Sequence, residues 1–216
     1  MTFQTPSGFT QIDTDSGTAT ITNTKPNLDI VGTGGVSTSA TGNTITVDGS
    51  DIALRLVDSF TVGASASEVI LNAPSGARYL LYIENFNPFT NAVFLSMEVS
   101  NDGGSTWKTS GYQSSVRYWA WNSTTLNNNT STAAFRLSGP LRNDRSAIFQ
   151  MWFGNMNTGA DLDGMGESTW EDTTLSAIAR GITVGQSTGT TGVNALRFFV
   201  NSGDIDNGNF FLYQLI

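Results

Sequence analysis

The sequence predicts an all-β protein, with an N-terminal extended arm of short strands followed by a jelly-roll-like antiparallel β-sandwich. Three observations predict it. Charged residues supply only 13% of the 216 positions, and Ser, Thr, Asn and 23 Gly fill the balance, a mixture that suits turns and is poor material for helices. Apolar and polar residues alternate with period two over many short runs, the signature of half-buried strands. Clusters of Gly, Asn, Asp and Ser separate those runs, as turns do. An aromatic content of 11% alongside the low charge argues for a packed core, because disordered chains are charge-rich and aromatic-poor.

The first fifty residues carry few large side chains and are dominated by Thr, Ser, Gly, Asn and Asp. Within them Leu28-Asp29-Ile30-Val31 and Thr44-Ile45-Thr46-Val47 read as short strands, and Gly32-Thr33-Gly34-Gly35 and Thr41-Gly42-Asn43 as turns. A two-strand unit is marginal by itself. Its apolar positions need a partner surface, which the following domain, identical segments of neighbouring subunits or a larger assembly would supply. Apart from Phe3 and Phe9 the aromatics appear from about Asp51 onward, so the chain divides into an arm, residues 1–50, and a head, residues 51–216.

Along the head, Phe60-Thr61-Val62 and Glu68-Val69-Ile70-Leu71 are the first strand runs. Tyr79, Leu81 and Ile83 fall on one face of the next, with Arg78 and Glu84 on the other, and Leu95, Met97 and Val99 alternate with Ser96, Glu98 and Ser100; both runs read as half-buried. Ala133, Phe135 and Leu137 repeat the pattern, as do Phe149, Met151 and Phe153. Residues 177–184, 196–200 and 210–216 complete a set large enough for a jelly roll of eight or more strands. The stretches Asn101-Asp102-Gly103-Gly104-Ser105, Asn127-Asn128-Asn129-Thr130, Gln186-Ser187-Thr188-Gly189 and Asn201-Ser202-Gly203-Asp204 read as turns between them.

Composition excludes much chemistry. The formal charge of -8 removes the electrostatic footprint that holds a phosphate backbone, so nucleic acid is not expected as a partner. The absence of cysteine removes disulfides, thiolate catalysis and Cys-ligated zinc. The absence of histidine removes Ser-His-Asp and Cys-His catalysis and the common zinc and non-haem iron sites. No cofactor, metal or catalytic residue is expected. No segment approaches the roughly 20 apolar residues of a membrane span, and Met1 to Pro6 lack a signal-peptide pattern. A soluble protein without membrane insertion is the expectation.

Three motifs of the arm occur in a fixed order: Asp15-Ser16-Gly17-Thr18-Ala19, then Ile30-Val31-Gly32-Thr33-Gly34-Gly35-Val36-Ser37-Thr38-Ser39, then Gly42-Asn43-Thr44-Ile45-Thr46-Val47. This succession resembles a segment that recurs in bacteriophage fibre proteins. The C-terminal Leu196-Arg197-Phe198-Phe199-Val200-Asn201-Ser202-Gly203-Asp204-Ile205 and Gly208-Asn209-Phe210-Phe211-Leu212-Tyr213 look like the closing strand pair of phage fibre heads, with Asp204 and Gln214 where that pattern has Asn and Gly. The resemblance covers both ends of the chain and implies a homotrimeric virion protein, attached through its arm to other capsid or tail proteins and exposing a β-rich head. Threefold packing would bury Ile30, Val31, Val36, Ile45 and Val47 against their symmetry mates.

Three stretches of the head invite a chemical reading. Ser100 to Trp107 matches the Asp-box pattern of sialidases, but it occurs once, and a propeller repeats it in several blades; a strand-turn-strand corner, with Asp102 bonded to turn amides, is the expectation. Tyr112, Tyr118, Trp119 and Trp121 lie in a Ser/Thr/Asn-rich stretch. They offer either aromatic faces for host-surface glycans or packing for the core and trimer interface. Asp161, Asp163, Glu167, Glu171 and Asp172 form the densest acidic stretch and read as a solvated loop lacking EF-hand spacing for Ca²⁺. The expected function is a non-enzymatic fibre or spike at the virion surface. The rival expectations are a capsid decoration or cement protein that stabilises the shell and a surface-polysaccharide hydrolase using two of these carboxylates.

Overall fold

The computed structural model describes residues 11–14, 17–20, 37–41, 44–48, 54–74, 76 and 78–215. The chain divides into two compact units, Met1–Asp51 and Ile52–Ile216. The first holds two antiparallel pairs: β1 (Gln11–Thr14) with β2 (Gly17–Thr20), and β3 (Ser37–Thr41) with β4 (Thr44–Asp48). In the second pair Ala40 stands opposite Ile45 and Thr38 opposite Val47. Ile30, Val31 and Val36, with the strand expected at Leu28–Val31, lie outside the described residues.

The second unit is all-β, and no helix occurs among the described residues. Its strands are β5 (Leu54–Val62), β6 (Val69–Asn72), β7 (Tyr79–Pro88), β8 (Leu95–Ser100), β9 (Tyr112–Ala120) and β10 (Asn127–Ser131). They are followed by β11 (Phe135–Arg136), β12 (Ala147–Gly154), β13 (Asp161–Asp172), β14 (Ala177–Thr191), β15 (Ala195–Val200) and β16 (Ile205–Leu215). They form an antiparallel eight-stranded sheet of order β10-β9-β14-β13-β12-β7-β16-β5 and an antiparallel four-stranded sheet of order β11-β8-β15-β6.

Period-two alternation explains how the sheets meet. Along β12, Ala147, Phe149, Met151 and Phe153 are buried while Ile148, Gln150 and Trp152 are exposed. One core joins these inward residues to Leu71 of β6, Met97 of β8, Phe135 of β11 and Phe198 of β15. Rings from opposite sheets touch in two places: Phe198 lies 5.5 Å from Phe210, and Phe135 meets Phe153 edge-on at 6.3 Å. This is β-sandwich packing, in which inner faces interdigitate.

Four expectations are corrected here. β8 is buried at every position rather than half-buried, because the outer face of the small sheet is itself covered. There Arg197 pairs with Glu98, bonds Glu68 at 3.3 Å and lies 4.9 Å from the Trp107 ring. The expected acidic loop is strand β13, where Asp163, Glu167 and Thr169 are exposed in alternation with buried Leu162, Ser168, Trp170 and Asp172. The expected turn at 127–130 is the edge strand β10, paired to β9 through backbone bonds that ignore side-chain identity. The expected turn at 186–189 is the far part of β14, where Leu162 pairs with Ser187 and only Gly189 has positive φ, at 75°.

Glycines within strands make room for the large rings. A Cβ on Gly181 would lie 2.6 Å from the Trp170 ring, one on Gly185 2.7 Å from Phe135, and one on Gly166 2.1 Å from the Gln150 carbonyl oxygen. These positions require glycine for close approach rather than for a turn.

Candidate functional site

Strand β9 sorts the four candidate aromatics by parity. Tyr112 and Tyr118 point inward and are buried, whereas Trp119 is 40% exposed and Trp121, just past the strand end, is 92% exposed. The expected glycan contact at Tyr112 and Tyr118 is therefore corrected: their rings belong to the core. Tyr112 donates its hydroxyl proton to the Lys108 carbonyl at 2.9 Å and accepts the Val99 amide at 3.0 Å. Burial raises its phenol well above the usual range. The Tyr118 ring lies 5.2 Å from Trp170, and burial first, then the nearby Asp172 charge, raises its phenol as well.

Trp119 and Trp121 remain as an accessible pair at one corner of the large sheet. Trp119 stands opposite Arg180 across the β9 and β14 ladder, and the Trp121 amide donates to the Ile178 carbonyl at 2.9 Å. Ile178 is itself exposed, and Arg180 pairs with Glu167 at 2.6 Å. On the other side runs β10, with Asn127, Asn128, Asn129, Thr130 and Ser131 along the sheet edge. Asn128 accepts a bond from Ser115 at 2.6 Å. Two indole faces and a cation thus share the outer face with Asn128 and Thr130, the outward-facing residues of β10, a set that stacks on sugar rings and hydrogen-bonds their hydroxyls.

The acidic residues of β13 serve the scaffold. Asp161 accepts the Gly189 amide at 2.6 Å, and Asp163 accepts the Asn155 side-chain amide at 2.9 Å. Glu171 bridges Arg142 at 3.0 Å and Arg145 at 3.1 Å. Asp172 is fully buried, and its Oδ1 accepts the Thr174 and Leu175 amides at 2.8 and 2.9 Å in the turn to β14. Among the described residues no group of three or more such side chains gathers to hold a metal ion.

The single Asp-box is a corner between sheets. It leads from β8 in the small sheet to β9 in the large one, and Asp102 bonds Ser100 at 2.6 Å and the Thr106 amide at 2.9 Å. Those bonds, Ser100 foremost, lower the Asp102 carboxyl to about 2. Trp107 lies under Arg197 of β15, so the motif closes the small sheet's outer face.

No protein-family model matches this chain, and no curated protein matches it in sequence.

Proposed function

We propose that the chain is a structural protein of a bacteriophage virion, a short homotrimeric fibre or spike on the particle surface without enzymatic activity. Residues 1–50 seat it on capsid or tail proteins, and the head engages host-surface glycans through Trp119 and Trp121. The observation that carries the reading is the union in one chain of the three ordered arm motifs with a two-sheet antiparallel head.

Strand order supports a jelly-roll origin for the head. From β6 to β9 the chain alternates between the small and large sheets, stays in the large sheet for β10, returns for β11 and does so again for β15. Such alternation characterises double-sheet jelly rolls. The departures are the β12 and β13 pair inserted between β7 and β14, and the added strands β5 and β16. The structural engagement of the β13 carboxylates supports a non-enzymatic reading, since a glycosidase needs two carboxyls free to act as acid and nucleophile or base.

The mechanism is geometrical. Three heads on one particle convert weak individual contacts into avid adsorption. The test is adsorption of particles carrying Trp119→Ala and Trp121→Ala together. Loss of adsorption with normal particle yield is expected. Unchanged adsorption, with shells that become fragile when the protein is depleted, would overturn the fibre reading in favour of a capsid decoration protein.

A further inference from the structure

The outer face of the eight-stranded sheet carries a continuous apolar row. Ladder partners place Leu56 opposite Tyr213, Tyr213 opposite Leu80, Leu80 opposite Trp152, Trp152 opposite Met165 and Met165 opposite Val184. Trp152 is 40% exposed, Met165 61%, Val184 48% and Leu56 49%, whereas Leu80, in the middle of the row, is buried at 8%. The row crosses six adjacent strands, about 24 Å at ordinary strand spacing. Contiguous apolar surface of this extent marks an interaction site.

From this row we infer that neighbouring copies of this chain cover the outer face, one copy's β5, β16 and β7 half packing on the next copy's β13 and β14 half. The inference rests on the self-association part of the proposed function. Three observations select a second copy as the occupant. First, a cleft of about 510 Å³ along the row is lined by Trp152, Met165 and Leu215, and apolar walls match another apolar row better than a sugar, whose hydroxyls need polar partners. Second, the charges rimming that cleft complement each other between halves: Arg78 stands at the β7 side and Asp163 on β13. Neither forms an ion pair among the described residues. Closed rings use heterologous contacts, so one copy's Arg78 would meet the next copy's Asp163.

Third, ring closure engages the whole face: eight strands at ordinary spacing and a height of about seven residues make roughly 800 Å², half against each neighbour, so that a copy's two contacts together bury about what one partner contributes to a standard stable interface. Trp152 lies between the two halves, where both neighbours reach it.

The test is the solution mass of the full chain by light scattering, with Met165→Arg, Arg78→Glu and the double variant Arg78→Glu/Asp163→Arg, each checked by circular dichroism. We expect three copies for the parent chain and one for Met165→Arg. Arg78→Glu should dissociate at a protein concentration at least tenfold higher than the parent does, and the double variant should recover. A trimeric mass unchanged by Met165→Arg would overturn this face as the interface and leave the trimer standing. A single-chain mass for the parent would overturn both.

Discussion

Asp102 holds Thr106 with both carboxylate oxygens: Oδ1 accepts the Thr106 amide at 2.9 Å and Oδ2 accepts its hydroxyl at 2.6 Å. Ser100 donates to the same Oδ1 at 2.6 Å. All three bonds favour the ionised form, so the carboxyl, lowered to about 2 from 3.8, stabilises the corner fully above pH 3.8. That contribution is lost as pH falls through about 2. A carboxyl titration followed by NMR should place the Asp102 midpoint near 2, and Asp102→Asn should leave stability between pH 2 and 4 less dependent on pH than in the parent. A midpoint near 4 would contradict the bonding described.

Glycine at position 166 is a packing requirement. A Cβ there would stand 2.1 Å from the Gln150 carbonyl oxygen and 2.4 Å from the Met151 sulfur, and a backbone atom cannot rotate away. Gly166→Ala should destabilise the fold by about 1–3 kcal/mol, the usual cost of overpacking a well-filled site. Chemical denaturation measures it, and an unchanged midpoint would show that β12 and β13 separate freely.

Asp172 acts as a buried turn acceptor. Removing it in Asp172→Ala takes the acceptor from the Thr174 and Leu175 amides, which are exposed and half-buried, costing about 1 kcal/mol for each bond lost. Asp172→Asn keeps an acceptor oxygen and should cost less. Equal losses in thermal unfolding would mean that the charge rather than the acceptor matters.

Tyr118 of β9 and Trp121 just past the strand end should respond differently. Tyr118→Ala removes a buried ring packed on Trp170 and should cost about 3 kcal/mol or more, as large-to-small core changes do. Trp121→Ala removes an exposed ring and should change stability by less than about 0.5 kcal/mol. Comparable losses for the two would contradict the strand parity.

The head's strands were legible where alternation pairs apolar with polar residues, as at Phe149, Met151 and Phe153. They were illegible where glycine replaces the inward apolar residue. In β13 and β14 the inner positions Gly164, Gly181 and Gly185 contribute space, and rings from elsewhere fill it, while Gly166 admits the Gln150 carbonyl and Met151. The period-two signal therefore vanishes between Asp161 and Glu167, leaving its carboxylates to suggest a loop. β10 shows the other limit: Asn127 to Ser131 buries little of itself and is held by its ladder to β9, which leaves no hydrophobic trace. Of the four aromatics expected as glycan contacts, Trp119 and Trp121 are surface residues and Tyr112 and Tyr118 are not. The strand register needed to separate them depends on pairing with β14, a partner nearly seventy residues away.

The outer apolar row from Leu56 to Val184 was likewise hidden, because its members come from six strands and meet only through the ladders. In sequence, Trp152 sits inside the apolar run Met151-Trp152-Phe153 and Met165 lies between two glycines, and the other outward positions of their strands include Gln150 and Glu167.

The most direct test of the virion assignment is immunogold electron microscopy of purified phage particles, with antibody raised against the full chain. The account predicts gold at discrete surface positions on intact particles, reduced when residues 1–50 are deleted. Particles free of label, with the protein recovered only in the cell lysate, would contradict it.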